Sequence, residues 1–282
     1  MSGDLPTVTF ADGNVVPALG LGTYQIGANG ATVAEGVRAL KHGVDLGMKL
    51  IDTAELYGTG HAEQVVGEAV KGVRDEVFLV SKVHPKNASK RGTVEACERS
   101  LKHLAVEQID LYLLHWKSEC SLLDTVESLE RLKSDGKIAK WGVSNFDVDD
   151  MEDLAKLPSG SNVMANQVLY NLLHRGIEYD LTSWCNQRSI PVMAYSPLEE
   201  GRLLHHPELR RIADGCGATP AQVAIAFILR TRNIIAIPKS SSVERVTENY
   251  RAAKLVLSDD VVAALNKAFP PPMQKVPLEL GW

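Results

Sequence analysis

Four ionisable side chains stand at the ends of short apolar runs in this 282-residue chain. Asp52 follows Lys49–Ile51 and leads to Tyr57 through Thr53-Ala54-Glu55-Leu56. Lys82 closes Leu79-Val80-Ser81-Lys82, and His115 follows Leu113-Leu114 and precedes Trp116. A free tyrosine has a pKa of about 10, too high for easy proton exchange at neutral pH. An ammonium beside it stabilises the phenolate and is expected to lower that value. Asp52 would hold the Lys82 ammonium in place and keep it charged. His115 would hydrogen-bond a substrate carbonyl and turn it toward Tyr57. The expected product is a general acid tuned toward its working pH. Taken singly, each of these residues is more often a solvated, paired or rim group, and it is their joint placement that points to function.

Further along are groups that a hydride transfer would need. Ser144 and Asn145 end the run in Gly142-Val143-Ser144-Asn145-Phe146, and Gln167 ends the next. They are neutral hydroxyl and amide partners, suited to a carboxamide. Tyr195, within Ala194-Tyr195-Ser196-Pro197-Leu198, offers a flat face for a ring. Pro238-Lys239-Ser240-Ser241-Ser242-Val243-Glu244-Arg245 places two cations and three hydroxyls around a predicted helix start. That pattern suits an anion, and it equally suits a serine-capped helix with a solvated basic face. Two other readings stay open. One is a Schiff-base lyase with Lys82 as nucleophile, although Asp52 would raise a lysine pKa that such chemistry needs lowered. The other is a cofactor-binding sensor or scaffold with little turnover.

The elements that must position these residues follow a repeating pattern. Eight apolar runs, Ala18–Leu21, Lys49–Ile51, Val77–Val80, Ile109–Leu114, Ile138–Val143, Val163–Val168, Pro191–Ala194 and Ile234–Ile237, alternate with helix-length amphipathic segments. In Val33–Leu46, the apolar Val33, Val37, Leu40 and Val44 recur at helical steps. Buried strands alternating with helices imply a parallel sheet. Eight such units predict a (β/α)8 barrel, with residues 1–282 as one domain and the site at the C-terminal ends of the strands. Strand count alone leaves an open doubly wound sheet as the alternative. Ahead of the repeat, Val8-Thr9-Phe10, Asp12-Gly13-Asn14 and Val15-Val16 predict a hairpin. From Pro270-Pro271-Pro272 onward an extended tail is expected.

Composition bounds the function classes. With 45% hydrophobic and 23% charged residues the chain reads as globular. Its 30 basic and 35 acidic residues give −5, which argues against a nucleic-acid partner. No apolar run spans a bilayer and Met1–Phe10 lacks a secretory pattern, so a cytoplasmic protein without a membrane partner is expected. Cys97, Cys120, Cys185 and Cys216 form no CxxC pair and are expected to be reduced thiols. Gly20-Leu21-Gly22-Thr23 lacks a third glycine, and Gly58-Thr59-Gly60 has Glu63 where a third small residue belongs, so no dinucleotide fingerprint of the doubly wound type is present. His205-His206 has no second ligand set and reads as a solvated turn; no metal is expected.

The sequence resembles the aldo-keto reductase superfamily over nearly its whole length. The carriers are Gly20-Leu21-Gly22-Thr23, Asp52-Thr53-Ala54-Glu55-Leu56-Tyr57-Gly58, Leu114-His115-Trp116, Gly142-Val143-Ser144-Asn145-Phe146 and Ile237-Pro238-Lys239-Ser240. The resemblance implies a (β/α)8 barrel with a hairpin across its bottom, and a catalytic tetrad of Asp52, Tyr57, Lys82 and His115. It implies NADPH as cofactor, with the nicotinamide on Tyr195 and its amide held by Ser144, Asn145 and Gln167. Gly22, Thr23, Ser196 and Leu198 would complete the cofactor-binding set. Lys239, Ser240 and Arg245 would grip the 2′-phosphate, and Glu248 and Asn249 the adenine. Tyr24 and Trp116 would line the pocket for a small aldehyde or ketone, and the chain would act as a monomer. The segment between Trp116 and the predicted Ser121–Asp135 helix is short, as is the tail, so the pocket should be more open than in the larger animal members. That places the chain with the smaller microbial-type members, such as the 2,5-diketo-gluconate reductases. Trp282 would either fold over the pocket or remain a free end.

Overall fold

Period-2 alternation decides which side chains this fold brings together. The structure, a computed structural model, describes residues 5–27 and 32–280. Two strands, β1 (Thr7–Thr9) and β2 (Val15–Pro17), pair antiparallel as the predicted hairpin. Eight more pair parallel in chain order: β3 (Leu21–Gly22), β4 (Leu50–Asp52), β5 (Phe78–Val83), β6 (Ile109–Leu114), β7 (Ile138–Ser144), β8 (Asn166–Leu169), β9 (Val192–Tyr195) and β10 (Ile234–Ala236). The sheet closes on itself. Gly20 N donates to Ala236 O at 2.8 Å, Ala236 N to Ala18 O at 2.8 Å, and Gly22 N to Pro238 O at 3.0 Å. A Cβ at Gly22 would stand 2.6 Å from Ile237 O, so glycine permits the backbone approach at this seam. Closure settles the choice left open by strand count: the fold is a (β/α)8 barrel.

The helices are α1 (Val33–Asp45), α2 (His61–Val70), α3 (Lys90–Leu104), α4 (Leu122–Ser134), α5 (Val148–Ala155), α6 (Leu181–Gln187), α7 (Pro207–Gly215), α8 (Pro220–Leu229), α9 (Val243–Ala252) and α10 (Asp259–Ala268). Thr32 caps α1 with Glu35 in a reciprocal capping box, Ser121 caps α4 and Ser242 caps α9. Among the described residues no single helix is long and apolar enough to cross a membrane.

Inside the barrel, Leu50, Phe78, Val80, Leu111, Leu113, Ala165, Met193, Ile235 and Ile237 pack with Val8, Phe10 and Val16 of the hairpin. Phe10 stacks on Phe78 with ring centroids 5.3 Å apart, which plugs the end of the barrel where β5 begins. Alternation then puts Asp52, Lys82, Ser144, Gln167 and Tyr195 on the same inward face, one layer above this apolar plug.

Some boundaries differ from the sequence reading. The run Val163–Val168 pairs as strand only from Asn166, since Gly160–Asn162 forms a 3-10 turn that delivers the chain to the sheet. Gln167 therefore lies inside β8 rather than at its end. The His205-His206 turn is only half solvated: the His206 ring packs against Phe269 at 4.7 Å. From Pro270 to Leu280 the tail has no regular secondary structure and bends at Met273-Gln274, and Lys275 ties it to Asp147 and Asp180. Trp282 lies outside the described residues. All four cysteines are free thiols.

Candidate active site

The inward layer centres on a buried ion pair. Lys82 Nζ donates to Asp52 Oδ2 at 2.6 Å, to Thr53 O at 2.8 Å and to the Tyr57 hydroxyl oxygen at 3.3 Å. Lys82 is fully buried and Asp52 is 2% exposed. Asp52 is anchored on every side. Gln167 Nε2 donates to its other carboxylate oxygen at 2.7 Å, and Thr23 Oγ donates to its backbone carbonyl at 2.9 Å. Tyr57 is half-buried, its ring edge-on to His115 at 5.7 Å and to Tyr24 at 5.3 Å. Trp116 packs against His115 at 4.9 Å. The structure thus brings together the four ionisable residues singled out in the sequence, with Tyr24 and Trp116 beside them.

The electrostatics correct one expectation. The Tyr57 phenol is not tuned downward: it is raised well above its ordinary value, first by burial, then by the Asp52 charge, then by Tyr24. Burial leads, and Lys82 does not overturn it because its ammonium lies against Asp52, whose charge offsets part of its pull on the phenol. Burial also pushes the Lys82 ammonium down and the Asp52 carboxyl up, each opposed by the other's charge. The His115 imidazole is pushed down to about 2 by burial, with Lys82 and His84 adding to the shift, and is neutral at physiological pH. The arrangement is a protonated phenol and a neutral imidazole over a compensated ion pair.

The predicted carboxamide partners are already linked to one another. Ser144 Oγ donates to Gln167 O at 2.8 Å, and Asn145 Nδ2 donates to His115 O at 3.1 Å. Tyr195 OH donates to Asn145 Oδ1 at 2.9 Å. Asn145 has φ 60°, in the left-handed region that asparagine tolerates, and this turns its amide back toward the barrel mouth. Ser196 also has a positive φ, 47°, and Leu198 follows at the start of a 3-10 turn over Glu199–His205. Across the seam, Lys239 follows β10 beside Gly22 and Thr23. Its ammonium is pushed down by burial and by the Arg245 guanidinium. Among the described residues neither cation meets a carboxylate. Two facing cations at the capped start of α9, with the Ser240 hydroxyl beside them, are the donor set that an anion would satisfy. Glu248 and buried Asn249 follow on α9.

Sequence reasoning missed two features of this region. One is the Gln167–Asp52 bond, which joins residues 115 apart in sequence. The other is Glu63, fully buried on α2, which accepts from Ser81 Oγ at 2.6 Å and meets His103 Nδ1 at 3.2 Å. The period-2 pattern held the signal for that contact, since Ser81 must point outward if Lys82 points in. Among the described residues no cluster of three metal-ligating side chains occurs.

A closed eight-stranded barrel with an ion pair and a phenol at its C-terminal mouth is the architecture of a (β/α)8 enzyme. Residues 18–269 match the family model described as aldo/keto reductase family, and the chain belongs to that family. It is 44% identical over 278 residues to the methylglyoxal reductase YeaE of Escherichia coli K12, covering 97% of this chain and 98% of that protein. It is 36% identical to the glyoxal reductase of Bacillus subtilis 168, covering 93% of each. Among solved structures, an aldo-keto reductase from Klebsiella pneumoniae in complex with NADPH superposes with a TM-score of 0.95 at 45% identity, over 99% of this chain and 100% of that one.

Proposed function

We propose that this chain is an NADPH-dependent carbonyl reductase acting on small aldehydes and ketones, 2-oxoaldehydes such as methylglyoxal among them. It works as a one-domain monomer in the cytoplasm. The observation that carries the reading is the Tyr57 hydroxyl 3.3 Å from Lys82 Nζ, with the neutral His115 ring beside it. Tyr57 gives its proton to the carbonyl oxygen. Lys82 steadies the phenolate that remains, and Asp52 and Gln167 keep the ammonium in place. His115, neutral, donates to the carbonyl oxygen and orients it. Tyr24 and Trp116 wall the substrate pocket. NADPH, when bound, supplies the hydride. Tyr195 would carry its nicotinamide; Ser144, Asn145 and Gln167 its carboxamide; Gly22, Thr23, Ser196 and Leu198 the contacts along it. Lys239, Ser240 and Arg245 would hold the 2′-phosphate, with Glu248 and Asn249 at the adenine. Loss of nicotinamide absorbance with methylglyoxal tests the reading. Well-folded protein that consumes neither NADPH nor NADH with an aldehyde panel would refute it.

The raised tyrosine and the lowered histidine set the pH dependence. A phenol raised above about 10 stays protonated throughout the neutral range, and it loses its proton only beyond that value. A histidine lowered to about 2 stays neutral above that value. Neither group changes state between about pH 6 and 9, so kcat for reduction is expected to be flat there. A protonation step near the ordinary histidine value of about 6.5 would show that His115 titrates in the working enzyme.

Cofactor preference follows from the two cations. Charge-assisted bonds to one phosphate contribute about 2–4 kcal/mol. Lys239→Ala is therefore expected to weaken NADPH binding about thirty- to several-hundredfold and NADH binding far less, as read by fluorescence titration. Equal losses would place the phosphate elsewhere.

A further inference from the structure

Rings stand in a row along the C-terminal ends of β4, β5 and β6. Tyr57 meets His115 at 5.7 Å, His115 meets Trp116 at 4.9 Å, and Trp116 meets His84 at 5.1 Å. The first three already have parts in the proposed reaction. His84 has none, yet it follows β5 directly and shares inward parity with Val80 and Lys82.

The state of its ring is fixed. His84 Nδ1 accepts the backbone N–H of Lys86 at 3.0 Å. Burial and the Lys86 charge push the imidazole below its ordinary value against the pull of Glu55, so it is neutral. A neutral imidazole that accepts at Nδ1 carries its hydrogen on Nε2. The loop beneath is tied down: Glu55 Oε1 accepts from His84 N at 2.7 Å and from Asn87 Nδ2 at 2.9 Å. The ring is half-buried, and among the described residues its Nε2 has no hydrogen-bond partner. A held N–H donor thus stands one ring beyond Trp116 and two beyond His115, in the row of rings that follows β4, β5 and β6.

We propose that His84 is a specificity-determining residue, whose Nε2–H donates to a second oxygen on the substrate, one or two carbons from the carbonyl held at Tyr57 and His115. The substrate class that this selects is the short dicarbonyl or hydroxycarbonyl compound, in preference to a simple aldehyde of the same length. The inference rests on the carbonyl-reductase reading above. An apolar chain laid over this N–H would leave a donor desolvated and unpaired, whereas a second oxygen satisfies it.

The test compares methylglyoxal with propanal, which has the same carbon count and lacks the second oxygen. Steady-state kcat/KM with NADPH is measured for both substrates in the wild type, His84→Phe and His84→Gln. Phenylalanine keeps a ring against Trp116 and removes the donor; glutamine keeps an N–H donor and removes the ring. The preference for methylglyoxal over propanal is expected to fall about two- to tenfold in His84→Phe, the worth of one neutral hydrogen bond. His84→Gln is expected to retain more of it. A preference unchanged in His84→Phe overturns the inference, as does an equal loss on both substrates. Wild-type protein inactive on both aldehydes refutes the underlying reading, an outcome distinct from active protein whose preference does not move.

Discussion

Tyr57→Phe is expected to lower kcat for carbonyl reduction by at least about a thousandfold while leaving NADPH affinity within about twofold of the wild type. The variant loses one oxygen and little packing. The ring contacts with Tyr24 at 5.3 Å and His115 at 5.7 Å need no hydroxyl, nor does the approach of Lys82 Nζ to 4.9 Å from the ring centroid. The lost hydroxyl makes one long contact, 3.3 Å to Lys82, and it belongs to a half-buried residue, so the fold should tolerate the change. No neighbour can replace the acid. His115, lowered to about 2, has no proton to give beyond the one its neutral ring keeps. Lys82 is buried behind Asp52 and Thr53 O, which occupy two of its three donors. Single-turnover rates with bound NADPH, read beside a fluorescence titration of the cofactor, check both halves. Turnover within tenfold of the wild type would remove Tyr57 from the role of proton donor.

Much of this was legible in the sequence, and the reasons are physical. Strands buried on both faces must read as short apolar runs, and their period of two puts Asp52, Lys82 and Tyr195 on one face without reference to a structure. Helix ends were legible where caps are local: Ser121 and Asp135 bracket α4 as the sequence suggested. What escaped depends on closure. Gln167 reaches Asp52 because β8 lies across the barrel from β4, a relation that no local pattern encodes. Glu63 looked like a failed glycine position; it is in fact a buried acid that answers the outward Ser81. The direction of the Tyr57 shift also escaped. A lysine near a tyrosine predicts a lowered phenol only if burial does not outweigh it and the lysine is uncompensated; burial leads the upward shift here, and the 2.6 Å contact of Lys82 with Asp52 removes the second condition.

The same ion pair yields the largest expected effect on stability. Lys82→Met removes the only cation bonded to Asp52 among the described residues, leaving a carboxyl 2% exposed with Gln167 as its remaining described side-chain donor. Breaking a buried pair from one side costs about 3–5 kcal/mol, since the surviving charge stays desolvated. Burial already holds the Asp52 carboxyl above its ordinary value, and without Lys82 it rises further. An acid whose folded pKa is raised weakens the fold above its unfolded value of about 3.9 and no longer does so below it. The deficit of Lys82→Met against the wild type is therefore expected to shrink as pH falls from 7 toward about 4, and urea denaturation at several pH values measures it. Asp52→Asn combined with Lys82→Met removes both charges and keeps an amide that Gln167 can bond, so most of the lost stability should return. Activity should not return, because the phenolate left at Tyr57 would have no ammonium beside it. Recovery of stability without recovery of turnover separates the two duties of Lys82: its charge balance with Asp52 holds the barrel mouth together, and its third donor serves the tyrosine. A double variant that regained turnover would show that the ammonium is dispensable for the proton transfer, and Tyr57 would then need no partner but His115.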